Sequence, residues 1–166
     1  MIMAVVAIDP TFVASARAEL RGLLLGGERS VHMAKESPRR RKQVLDTLAR
    51  SGHLSAVVLR YRRSLGVDHV AGRRILLEAA VATVIDMSAS SWTLDDVPPS
   101  QRGRDRNIIG HALSRAKPAI PVVFDHRPSR DEPLLWAADA LAWATGIGGD
   151  WRRRAETILT VVDIGP

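Results

Sequence analysis

The chain has 166 residues, enough for one domain with its own core and too few for two ordinary ones. It has no cysteine, which excludes disulfides, thiolate metal sites and cysteine nucleophiles; any metal bound to the remaining oxygen and imidazole ligands is Mg²⁺ or Mn²⁺ before Zn²⁺. The formal charge of +6 comes mostly from arginine, with lysine only at Lys35, Lys42 and Lys117, so the basicity is weak support for a nucleic-acid partner because a GC-rich genome also enriches arginine.

No apolar run approaches the ~20 residues of a spanning helix, and Met1 to Ile8 lacks the basic start and cleavage site of a secretory signal. A soluble, cytoplasmic protein with no membrane partner is expected. Met3 to Ile8 reads as a strand, and Pro10 to Leu25 as a helix stopped by Gly26-Gly27. Arg29 to Lys35 has the alternation of a short strand. Ser37-Pro38 opens a helix to about Arg50, with Ser37 as N-cap and Pro38 at the first helical position. Leu54 to Tyr61 is the clearest strand. Gly66 to Asp68 leads into a helix carrying Val70, Ile75, Leu76, Ala80 and Val84 at helical spacing. A short strand over Ser90 to Leu94 ends at Asp95-Asp96. Pro98-Pro99 then breaks the chain before a polar helix over Ser100 to Arg115 that buries Ile108, Ile109, Ala112 and Leu113. Ile120 to Phe124 is predicted as a strand, Asp125 to Asp131 as a polar turn, Pro133 to Ala144 as an apolar helix, and Ile158 to Ile164 as a last strand. This alternation predicts a single α/β domain over residues 1–166, with a central sheet covered on both faces.

The chemistry rests on acids. Asp139 lies three and four residues from Leu135, Trp136, Ala142 and Trp143, which places it on an apolar helix face, where a carboxylate needs a partner, a proton or a metal. A buried arginine or a neighbouring backbone would also satisfy it. Asp9, Asp95, Asp96 and Asp125 follow predicted strands. Carboxylates converging there are what two-metal phosphoryl chemistry needs, although each alone is more often a turn former. Arg39-Arg40-Arg41 near a helix start and Arg152-Arg153-Arg154 are candidate phosphate contacts, with a solvated face as the bland reading. His32, His53, His69, His111 and His126 share no ligand spacing, and a hydrolase built on His126 and Asp131 has only their proximity behind it.

Val31-His32-Met33, Lys35-Glu36-Ser37 with its arginine-rich helix, Asp95-Asp96, Gly103 to Arg106, and Glu132 to Trp143 with its Ala-Asp pair resemble, in that order, the DUF3800 group of bacterial proteins. Asp131 to Trp136 with Gly148 to Arg154 is similar to a subgroup associated with actinobacteria. The resemblance implies a ribonuclease H-like mixed central sheet with helices on both faces. It also implies a nuclease whose Mg²⁺ or Mn²⁺ is held by Asp139 and Asp96, with Asp95 beside them. One departure stands out: the family's first strand, which carries an Asp-Glu-Ser motif, has no counterpart, and the chain starts at what matches the second. Either that strand lies upstream or the member is degenerate. Its absence would expose a sheet edge and favour a homo-oligomer. The alternative function is a non-catalytic nucleic-acid- or protein-binding domain of the same fold.

Overall fold

The computed structural model describes residues 1–62 and 68–165. It is a mixed α/β fold. Strand β1 (Ile2–Ile8) pairs antiparallel with β2 (Leu54–Tyr61), and β2 pairs in parallel with the last strand, β5 (Leu159–Ile164), giving the order β1-β2-β5. Strands β3 (Ser91–Asp95) and β4 (Val123–Arg127) form a separate parallel pair. The single central sheet expected from the sequence is therefore in two pieces. Between the strands run α1 (Val13–Arg21), α2 (Pro38–Arg50), α3 (His69–Asp86), α4 (Pro99–Ala116), α5 (Leu134–Ile147) and α6 (Gly149–Arg153). No helix among the described residues is long and apolar enough to cross a membrane.

Alternation along β1 sorts its side chains between two layers. Ile2, Ala4, Val6 and Ile8 pack with Trp136, Ala137, Ala140 and Leu141 of α5 and with Val44, Leu45 and Leu48 of α2. Met1, Met3 and Val5 join Leu59, Tyr61, Leu76 and Ala80 on the α3 side. A third cluster joins the β3-β4 pair to the helices through Leu94, Leu77, Val81, Ile109 and Ala112.

Local signals placed several boundaries correctly. The Ser37 hydroxyl accepts the Arg40 N–H at 3.3 Å with Pro38 behind it, and the Asp68 carboxylate accepts the Ala71 N–H at 2.7 Å to open α3. The predicted approach to α3 at Gly66 lies outside the described residues. Two expectations need correction. Arg29 to Lys35 is no strand: it runs as irregular chain into a 3₁₀ turn over Met33–Lys35, because its main chain is bonded by side chains instead of by a ladder. The Met33 N–H donates to Asp139 Oδ2 at 3.1 Å, while Arg41 donates to the carbonyls of Met33 and Ala34. Strand β4 begins at Val123 rather than Ile120, just beyond Pro121, whose missing N–H cannot serve a ladder, and it runs on to Arg127, so that Asp125 to Arg127 of the expected turn pair with Thr93 to Asp95 instead.

Candidate functional site

Main-chain directions define the centre of the molecule. The Met1 ammonium donates to the Tyr61 carbonyl at 2.8 Å and the Tyr61 N–H donates to the Met1 carbonyl at 2.9 Å. Antiparallel bonding alternates, so Met3, Val5 and Ala7 turn their main-chain groups toward β2, and Ile2, Ala4, Val6 and Ile8 turn theirs away. On β3 the Ser90 carbonyl accepts from Val123 and the Asp96 N–H donates to Arg127. Even-numbered residues thus face β4, and the main chain of Ser91, Thr93 and Asp95 points the other way.

Both free edges open on one cavity of about 480 Å³, lined by Ile2 to Val6, by Ile8 and by the unbroken run Ser91 to Asp95. A strand showing a face would line a cavity with alternate residues; an unbroken run is the signature of an edge. Leu134, Leu135, Ala138, Asp139 and Ala142 of α5 roof it. A second cavity of about 310 Å³ lies where Val5 to Pro10 meet Met87 to Trp92. The end of β1 thus lies by the start of β3, and the two strands run in opposite directions.

Asp139 is exposed rather than buried, which corrects the expectation from sequence. The apolar face formed by Leu135 and Ala142 exists, but it looks into the cavity, while α5 buries Trp136, Ala137, Ala140, Leu141 and Ala144 against the sheet. Among the described residues, Asp139 is partnered only by the Met33 N–H, through Oδ2. Asp95 lines the same cavity, with its Oδ1 accepting the Asp96 N–H at 2.9 Å. Asp96 does not line it: its carboxylate is taken by Arg102 and by the Val97 N–H. Asp9 is bound locally by Thr11, whose hydroxyl and N–H both lower its pKa. Among the described residues no three His, Cys, Asp or Glu side chains gather as a metal-holding group.

Two buried acids escaped the sequence reading. Glu132, 2% exposed, takes a two-pronged bond from Arg17 at 3.0 and 2.5 Å and accepts the Leu134 N–H at 3.2 Å, fastening α1 to the start of α5. Burial pushes its pKa up, but the Arg17 and Leu134 bonds outweigh that and hold it below the usual glutamate value. Asp105, 1% exposed, is clamped by Arg73 at 3.0 and 2.7 Å, and the buried His126 Nε2 lies 3.6 Å from its Oδ2. The available signal was position: Asp105 stands four residues before Ile109, on the buried face of α4. Arg17 and Arg73 both line the cavity.

The two arginine segments meet, although about a hundred residues of chain separate them. Arg41 lies over the Trp143 ring at 4.6 Å, Trp143 meets Trp151 edge to face at 5.3 Å, and Arg154 donates to Asp46 of α2 at 2.8 Å. Arg40 is buried, facing Glu28 and Glu36, and Arg153 pairs with Asp150. Arg39 and Arg152 are exposed. No family model, curated protein or solved structure matches this chain.

Proposed function

We propose that this chain is a ribonuclease H-like nuclease or a degenerate relative, with its divalent cation held by Asp139 and Asp95 at the cavity between β1 and β3. In this reading the two sheet fragments are halves of one sheet in the order β5-β2-β1, gap, β3-β4. The observation that carries it is the exposure of Asp139 in the cavity that Asp95 also lines. A two-acid set suits Mg²⁺ or Mn²⁺, which keeps several waters and completes its shell with substrate phosphate. When bound, such an ion would activate water and stabilise a leaving phosphate oxygen. The chain's own part is positional. The Met33 N–H fixes the Asp139 carboxylate, Arg41 fixes the Met33 loop from α2, and the exposed Arg39 and Arg152 supply cations for a phosphate backbone.

The test is Mn²⁺ titration followed by thermal unfolding of the parent, Asp139→Asn and Asp95→Asn, with cleavage of DNA and RNA oligonucleotides in parallel. The parent should be stabilised by about 2.7 kcal/mol at a hundredfold excess over Kd, and both variants should lose this. Equal stabilisation of all three would remove these acids from the site. The binding-module alternative is favoured by the engagement of the third acid that lines the cavity, Glu132, with Arg17. Metal binding without cleavage of either nucleic acid would select it.

A further inference from the structure

We propose that the cavity between β1 and β3 binds an extended segment of a separate polypeptide, five to seven residues long, as an inserted strand. The main-chain groups of Ile2, Ala4 and Val6 on one wall and of Ser91, Thr93 and Asp95 on the other have no hydrogen-bond partner among the described residues. Each wall presents alternating N–H donors and C=O acceptors, and the ligand that satisfies both at once is a peptide backbone with two free edges. A folded second copy does not qualify, since its strands already use at least one edge. Strand β3 sets the lower length and β1 the upper. Because β1 and β3 run oppositely, the guest pairs antiparallel with one and parallel with the other whichever way it enters.

The two layers state the side-chain pattern. Side chains pointing toward α3 meet the apolar Met3, Trp92 and Leu94, so these guest positions are apolar. Those pointing toward α5 meet Leu135, Ala138 and Ala142 with Asp139 among them, so these positions take small side chains, apolar or polar. The site is independent of the cation, because it uses main chain and apolar surface.

The experiment uses the full chain in EDTA. A displayed octapeptide library, with Val, Ile, Leu or Phe at alternate positions and no restriction elsewhere, is selected for binders. The best peptide is then resynthesised with its amides N-methylated along one edge, and separately along the other. The expected result is amide-exchange protection appearing together at Ala4, Val6, Thr93 and Asp95, and a loss of affinity of about tenfold or more on methylating either edge. No enrichment, protection of one strand alone, or sensitivity to methylation on one edge only overturns the proposal; the last would mean pairing at an outer edge. Ala138→Phe, which fills the roof, should abolish capture while Asp139→Asn retains it. Loss in Asp139→Asn with retention in Ala138→Phe would also overturn it. Peptide capture in EDTA and Mn²⁺ stabilisation without peptide can each fail alone, which keeps this inference separable from the nuclease reading.

Discussion

Glu132 shows how a single side chain is made to matter. Its carboxylate is almost fully enclosed, and Arg17 is the cation that keeps it charged. Arg17→Ala leaves a buried charge unpaired, so urea unfolding should show a loss of about 3 kcal/mol, whereas Arg17→Met with Glu132→Leu should recover much of it. The pH dependence follows from the lowered pKa. A carboxyl that binds its proton less readily when folded contributes stability above its unfolded value of about 4.3, and this is lost as pH falls through the folded value. Asp125, held down by Arg127, and Asp163, held down by Arg60, act in the same direction. Glu132→Gln should therefore flatten the stability profile below about pH 4.3 in part. Asp139 could be singled out from sequence because its neighbours are apolar. Its exposure could not, since helical spacing reports which face is apolar and not whether something fills the space opposite.

Among the elements, α2 was the most legible because its start is encoded locally: Ser37→Ala should cost about 1 kcal/mol in thermal unfolding, the ordinary value of an N-cap. Strand β2, with buried residues at Leu54, Ala56, Val58, Leu59 and Tyr61, was equally plain, as befits a strand paired on both sides. Arg29 to Lys35 misled because alternation there is real while the partners of its main chain are side chains, Asp139 of α5 and Arg41 of α2, which a strand pattern does not register. Arg40 misled for a related reason: it sits in a basic run but turns inward to Glu28 and Glu36.

Across the whole molecule the α/β class was legible from alternation, but the division of the sheet was not, because strand order is decided by contacts remote in sequence. The convergence of α2 and α6 through Trp143 was likewise hidden, and it brings together two basic segments that are remote in sequence. If nucleic acid binds there, Arg39→Ala with Arg152→Ala should weaken binding of a fluorescent 20-mer about equally for different sequences. It should also lower the slope of log K against log salt by about 1 for each phosphate that is no longer neutralised. An unchanged slope would move the interface elsewhere.

A sheet interrupted between β1 and β3 also bears on cooperativity. A continuous ladder carries unfolding from strand to strand, whereas among the described residues no ladder joins β3 and β4 to β1, β2 and β5. The guest-free molecule therefore has a natural line of cleavage, and its calorimetric unfolding enthalpy should exceed the van't Hoff value.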